Sequence, residues 1–109
     1  MKQIFPEIIT NLPEAGLPLE GLKIYISHSE THEVWFLQSE VAIDYPPHAH
    51  AAQWAVVLAG QIEVTMCCET KCYTKGDTYF LPEGVEHSVK IHPGYAEVIF
   101  LNDPNFLGR

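Results

Sequence analysis

The stretch that decides the fold reads Pro46-Pro47-His48-Ala49-His50-Ala51-Ala52-Gln53-Trp54 and leads into the apolar run Ala55-Val56-Val57-Leu58-Ala59-Gly60. His48 and His50 are two positions apart, and alternate side chains of an extended strand project to the same face. Gln53 is three positions beyond His50, so it can join that face only if the chain bends at residues 51–52. We therefore predict two strands joined by a bend, with these three side chains facing inward.

A second stretch, residues 76–87, ends on another histidine. Its turn Pro82-Glu83-Gly84 is expected to begin a new strand near His87, because proline and glycine favour tight turns. Neutral imidazoles that converge from separate strands are common ligands of divalent metals. We interpret His48, His50 and His87 as candidate metal ligands. For a His-x-His pair taken alone, packed or exposed histidines are the alternative.

The remaining chain alternates between short apolar runs and turn residues. The pattern predicts strands at residues 21–27, 33–38, 40–45, 54–58, 61–67, 71–74, 77–81, 87–91 and 95–101. Pro46 and Pro47 are expected to end the third strand. Many short strands at this spacing are typical of an all-β barrel or sandwich, and 109 residues make one domain. We divide it into an extended N-terminal arm, residues 1–20, and a β-barrel, residues 21–109.

The two stretches together resemble the two motifs of the cupin superfamily. The first motif is His-x-His, a short gap, a glutamate-like ligand, six residues and a glycine, matched here from His48 to Gly60. The second is glycine, five residues, Pro-x-Gly, two residues and histidine, matched from Gly76 to His87. Residues 46–54 are similar to a subset of small, stand-alone bacterial cupins that carry Gln-Trp at this place.

The resemblance implies a cupin barrel, also called a jelly roll or double-stranded β-helix, with one divalent metal on His48, His50 and His87. It also implies Gln53 as a fourth ligand. Gln53 replaces the usual glutamate, the gap before it is shorter than in most cupins, and Ile91 replaces a frequent asparagine. An amide ligand leaves the ion's full charge uncompensated, which makes the site more Lewis-acidic. Fe, Mn, Ni, Co, Cu and Zn all suit imidazole ligands.

Charge and composition limit the partners. Fourteen acidic residues against six basic ones give a net charge of −8, so we expect neither nucleic acid nor an anionic membrane as a partner. No apolar run is long enough to span a bilayer and the start does not resemble a signal peptide, so we expect a cytoplasmic protein. The cysteines, Cys67, Cys68 and Cys72, bracket an expected turn at residues 69–71. We expect them to be small buried side chains, with a redox or second metal role as the alternative.

The resemblance implies a metal-dependent protein acting on a small molecule, as a dioxygenase or isomerase type of enzyme. The alternative is a non-catalytic module that binds or senses a small ligand. No catalytic carboxylate stands out in the sequence. We also expect a homodimer, because Trp54, Val56 and Leu58 form a second apolar face on their strand. Either a partner subunit or the arm must cover this face, and the arm carries the apolar residues Ile4, Phe5, Ile8, Ile9, Leu12, Leu17 and Leu19.

Overall fold

The computed structural model describes residues 3–16 and 19–106, which form two antiparallel sheets packed face to face. The elements in chain order are α1 (Glu7–Thr10), β1 (Leu22–His28), β2 (Glu33–Ser39), β3 (Ile43–His48), β4 (Gln53–Ala59), β5 (Gln61–Met66), β6 (Glu69–Thr74), β7 (Thr78–Leu81), β8 (His87–Ile91) and β9 (Tyr95–Leu101). One sheet has the order β1-β2-β9-β4-β7 and the other the order β3-β8-β5-β6. The predicted all-β jelly-roll barrel is confirmed.

The hydrophobic core lies between the sheets and follows the strict alternation of side chains along each strand. On β4, Ala55 and Val57 are buried, whereas Trp54 is 46% exposed on the opposite face. On β5, Ile62 and Val64 point into the same core from the other sheet. The sequence-based prediction that Ala55 and Val57 face the interior and Trp54 the opposite side of β4 is therefore confirmed.

The prediction that the two prolines end the third strand is wrong. Strand β3 continues through Pro46 and Pro47 to His48, which pairs with His87 on β8. The pairing is irregular between Tyr45 and His48, and β3 is an edge strand of its sheet. Prolines are tolerated in such places because an edge or a bulge needs fewer backbone donors.

The hairpin that joins β5 to β6 differs from the prediction. Met66 pairs with Glu69, so Cys67 and Cys68 form a two-residue turn, and residues 69–71 belong to β6. Both turn residues have positive φ, 53° and 64°, as a tight type I′ hairpin turn requires. All three cysteines are free and exposed, so the expectation that they are buried is wrong. Because cysteine is not a usual turn residue, the turn at Cys67 and Cys68 could not be predicted from the sequence.

The N-terminal arm lies against its own barrel. The backbone of Ala15 bonds to Ile24 on β1, and Phe5, only 4% exposed, packs edge-on against Phe36 at a centroid distance of 5.6 Å. The arm therefore covers the outer face of β1 and β2. Leu17, one of its expected apolar residues, lies outside the described residues. Within the described ranges, no helix has the length and apolar character that crossing a membrane would require.

Candidate metal centre

Three histidines meet at one end of the barrel because two strand ends meet there. His48 ends β3 and His87 begins β8, and the two residues are paired across the sheet. His50 follows in the loop before β4. The ring centroids lie 4.5 Å apart for His48 and His87, and 4.7 Å apart for His50 and His87. One ring nitrogen from each lies within 4.8 Å of the others, so the group could hold a metal ion.

Backbone carbonyl groups fix the orientation of all three rings. The Nδ1 atom of His48 lies 2.7 Å from a carbonyl oxygen of Pro46, and that of His50 lies 2.7 Å from the oxygen of Ala51. The Nδ1 atom of His87 lies 3.0 Å from the oxygen of Val85. A carbonyl oxygen only accepts hydrogen bonds, so each Nδ1 carries the proton and donates it. Each Nε2 then presents a lone pair, which is the usual second-sphere arrangement of a metal-binding histidine.

The Nε2 atoms of His50 and His87 face each other at 3.1 Å. Because both Nδ1 atoms are protonated, neither Nε2 has a hydrogen to donate, and two lone pairs at this distance repel unless a cation lies between them. Two nitrogen ligands about 2.1 Å from one ion, at right angles to each other, are about 3 Å apart. The donor set and its spacing therefore fit a divalent metal.

Burial favours the form of the rings that binds metal. It lowers the pKa of His50 and of His87, although each ring's bond to a backbone carbonyl opposes this shift. The charge of the neighbouring histidines lowers both pKa values further. Since only neutral imidazole coordinates a metal, the rings are prepared for binding at neutral pH.

The local backbone explains why these residues meet. The bend predicted between His50 and Gln53 lies at Ala51. At the other end of β4, Gly60 has a φ of 73°, and a Cβ atom there would lie 2.7 Å from the carbonyl oxygen of Gly94. Only glycine fits so close an approach. Gly60, which ends the first motif, is thus required because its turn packs directly against the turn at Gly94.

Gln53 is the first residue of β4, and its side chain lines the same cavity as the three histidines. Gln53 and Tyr79 are diagonal neighbours on β4 and β7 and line the same cavity. Burial, and then the charge of Glu97, raises the pKa of the Tyr79 hydroxyl, and Gln53 opposes this rise. The amide oxygen is the atom of Gln53 that a metal would bind.

The cavity in front of the histidines has a volume of about 230 Å³, slightly below the usual range of roughly 300–1,000 Å³ for small-molecule pockets. Most of its wall is apolar and comes from both sheets, from Leu37, Ile62, Leu81, Val89, Ile91 and Ile99. None of the described residues that line it is lysine or arginine. Phe106 in the C-terminal tail closes one side, with its ring 5.0 Å from that of His50.

Glu97, on β9, is a buried carboxylate in the cavity wall that the sequence analysis did not identify. It is 2% exposed, and its Oε1 atom accepts hydrogen bonds from the hydroxyls of Tyr79 (2.6 Å) and Tyr95 (2.7 Å). Burial raises the pKa of Glu97 to about 7, and the two hydrogen bonds oppose this rise. The signal in the sequence was a glutamate in phase with the buried residues Tyr95 and Ile99 of an apolar strand. The tail residue Phe106 offered no comparable signal.

The other candidate residues lie outside this cavity. Cys67, Cys68 and Cys72 are on the β5–β6 hairpin and do not belong to the histidine group that could bind metal. Trp54 projects from the outer face of β4, as the sequence predicted. The Nε2 atom of His92 lies 2.5 Å from a carboxylate oxygen of Glu63.

Comparisons with known proteins agree with this fold. A sequence profile of the cupin domain matches residues 34–102. A search among proteins of curated function found no significant match. The fold is similar to that of KdgF from Halomonas sp., with 18% identity, a TM-score of 0.72 and 94% of each chain covered. It is also similar to an RmlC-like cupin from Shewanella frigidimarina, with 21% identity, a TM-score of 0.73, and 87% of this chain and 86% of that one covered.

A third similar structure is a variant of oxalate decarboxylase from Bacillus subtilis, with 19% identity and a TM-score of 0.73. The alignment covers 90% of this chain but only 29% of the decarboxylase, a protein that contains Mn(II) centres. At these identities the structural similarities establish the fold. The profile match spans more than half of the chain and includes both histidine-bearing stretches, and on this basis the protein belongs to the cupin family.

Proposed function

We propose that this protein binds one divalent transition-metal ion through His48, His50 and His87, with the Gln53 amide oxygen as a fourth ligand, and acts on a small molecule in the adjoining cavity. The observation that carries the proposal is that one ring nitrogen of each histidine lies within 4.8 Å of the others, while a backbone carbonyl accepts a hydrogen bond from every Nδ1. Imidazole ligands suit Fe, Mn, Ni, Co, Cu or Zn.

The cavity suggests what kind of molecule is bound. The ion would supply Lewis-acid chemistry or oxygen activation, because four protein ligands leave positions open on an octahedral ion. The apolar walls would bury the body of the molecule, and the polar end of the cavity would receive its oxygen atoms. We therefore propose a small, compact ligand with chelating oxygen atoms and an apolar body, converted by a dioxygenase or isomerase type of reaction.

A non-catalytic sensing module is the second candidate. The mostly apolar wall and the closure by Phe106 favour it, because an enclosed apolar pocket retains a ligand well. To separate the two functions, we would load the protein with each metal and screen oxygen uptake with catechol, diketone and thiol compounds, together with calorimetric binding of the same compounds. Turnover supports the enzyme, whereas tight binding without turnover supports the module.

We further propose that two copies associate through the outer face of the five-stranded sheet. Phe100, Trp54 and Phe80 are cross-strand neighbours on β9, β4 and β7, and they are 39%, 46% and 54% exposed. The described part of the arm covers β1 and β2. Within the described residues His32 stacks on Phe100 at one end of the row, with ring centroids 4.6 Å apart, and about half of Trp54 and of Phe80 stays exposed. Exposed apolar patches of this kind mark interaction sites. The exposed free thiols favour a reducing compartment, and we propose a cytoplasmic location.

A further inference from the structure

Tyr79 lies between the proposed fourth ligand and a buried carboxylate. Its position is diagonal to that of Gln53 across the neighbouring strands β4 and β7, within reach of long side chains, and its hydroxyl donates to Oε1 of Glu97 at 2.6 Å. Tyr95 donates to the same oxygen at 2.7 Å. Both hydroxyls therefore donate to Glu97, which is the arrangement that stabilises its ionised form.

The charge of Glu97 is also felt across the cavity. Its negative charge raises the pKa of Tyr45 on β3, the second cause after burial. The ring of Tyr45 lies 6.3 Å from that of His48, in edge-on contact. Tyr45, Glu97 and the three histidines line one small, mostly apolar cavity, where charges interact more strongly than in water.

Among the described residues, no cationic side chain forms a hydrogen bond or an ion pair with Glu97. The titratable groups that face it are Tyr79, Tyr95 and Tyr45, all neutral at physiological pH, and its cross-strand neighbours on β2 and β4 are Leu37 and Val57. An ionised carboxylate buried without a cation is costly. A cation held by the neighbouring histidines would be the charge that balances it.

We infer that Glu97 is the displaced carboxylate of this metal centre: through Tyr79 and Gln53 it provides the negative charge that an amide ligand cannot. The inference rests on the metal-binding function proposed above and adds to it the role of Glu97. Gln53 provides an oxygen atom, Tyr79 positions the Gln53 amide, and Glu97 balances part of the charge of the ion. The total charge at the site is then closer to that of three histidines and one glutamate than the four proposed ligands alone would give.

The test compares the affinity for Co²⁺ of the wild-type protein, Glu97→Gln, Tyr79→Phe and Glu63→Gln, measured by calorimetry at pH 8. Glutamine at position 97 keeps the shape and an acceptor for both tyrosines but removes the charge. Glu63→Gln removes one charge from the outer face of β5 and is the matched control. The visible absorption spectrum of bound Co²⁺ reports whether the coordination is preserved.

We expect Glu97→Gln to weaken Co²⁺ binding by about 10- to 100-fold, the usual effect of losing an outer-sphere partner, with Glu63→Gln close to wild type. Tyr79→Phe should lower the affinity by a smaller factor. At pH 6.5, where a group with a pKa of about 7 is mostly protonated, wild type should also release roughly three-quarters of a proton more than Glu97→Gln on binding the ion. A purely structural role of Glu97 would leave the two proton counts equal.

Each failure has a separate meaning. If Glu97→Gln and Glu63→Gln bind Co²⁺ equally well and release equal numbers of protons, the inference is wrong and the metal-binding function stands. If Glu97→Gln does not fold, unchanged affinity in Tyr79→Phe overturns the inference instead. If the wild-type protein binds no Co²⁺, the proposed function itself is wrong, and the inference is lost with it.

Discussion

The backbone N–H of Gly84 donates a hydrogen bond to the carbonyl oxygen of His50 at 3.0 Å. This bond joins the turn before β8 to the loop before β4, two parts of the chain that each carry metal-ligand candidates. Gly84 adopts a φ of 75°, and a Cβ atom there would contact nothing within 4 Å. Replacing Gly84 by a residue with a side chain would therefore destabilise the fold through backbone strain and not through a steric clash.

Gly84→Ala tests whether this turn positions the histidines. We expect the free energy of unfolding to fall by about 1–2 kcal/mol, because a left-handed conformation is unfavourable for alanine. Metal affinity should fall as well, since His87 follows the turn and the backbone of His50 is hydrogen-bonded to it. Gly16→Ala is the control, because Gly16 also has open space but no positive φ. Equal urea midpoints for the two variants would contradict this view of the turn.

Gln53→Glu should tighten metal binding, because a carboxylate adds a negative charge in direct contact with the ion. If Glu97 already balances part of the charge, the gain will be larger in the Glu97→Gln background than in the wild type. Calorimetric titration of Co²⁺ into the four proteins measures both effects. Weaker binding by Gln53→Glu would count against the electrostatic argument for this position.

The buried carboxylate should make the stability of the metal-free protein depend on pH. The folded pKa of Glu97, about 7, is above the reference value of 4.5, so the folded state binds this proton more tightly than the unfolded state does. Its contribution to stability is complete below pH 4.5 and is lost as the pH rises through 7. With about 1.4 kcal/mol for each pKa unit, the loss is about 3 kcal/mol.

Because glutamine does not titrate, the Glu97→Gln variant lacks this pH-dependent contribution to stability. Its stability relative to wild type should therefore increase by about 3 kcal/mol between pH 4.5 and pH 8, as measured by urea unfolding in the presence of a chelator. Glu30→Gln, which removes an exposed glutamate, controls for the loss of one charge. A difference between Glu97→Gln and wild type that stays constant with pH would show that Glu97 does not titrate in this range.

The aromatic row Phe100–Trp54–Phe80 should hold two subunits together. Light scattering should give about twice the chain mass of 12.3 kDa at micromolar concentrations. A dimer of ordinary stability buries more than about 1,000 Å² in total. Trp54→Glu should yield monomers, because a charge at the centre of the row must be desolvated on association.

Ile8→Glu is the control for this surface, since Ile8 is 82% exposed on α1, in the arm and not in the row. It should leave the mass unchanged. A wild-type mass of one chain over the whole concentration range would mean that the row stays exposed in solution, and the dimer proposal would then be wrong.

The sequence predicted the histidine group because the relevant information is local: a two-residue spacing, a bend, and Pro-x-Gly before His87. The strands could be predicted equally well, since the alternation of apolar and polar side chains along β4 and β9 reflects one buried face. The role of Glu97 could not be predicted, because its environment depends on Tyr79, whose hydroxyl reaches it from β7, and on burial between the two sheets. Such distant contacts leave no spacing rule in the chain.

Two further differences have equally physical reasons. The turn at Cys67 and Cys68 places two residues with side chains at positive φ, where the sequence offered no glycine or asparagine as a sign. Strand β3 includes Pro46 because it is an edge strand with irregular pairing, a position that only the sheet order reveals. In both cases the tertiary structure overrides the usual conformational preference of the residue.

The central claim is that His48, His50 and His87 together hold one metal ion, and its most direct test is the metal content of purified wild-type protein and of His50→Ala. Both proteins are exposed to equimolar Co²⁺, Ni²⁺, Mn²⁺, Fe²⁺ and Zn²⁺ and analysed by mass spectrometry after gel filtration, with His28→Ala as the control for an exposed histidine. We predict about one ion per chain in wild type and in His28→Ala, and a tenth of that or less in His50→Ala. Undiminished metal in His50→Ala would contradict the assignment.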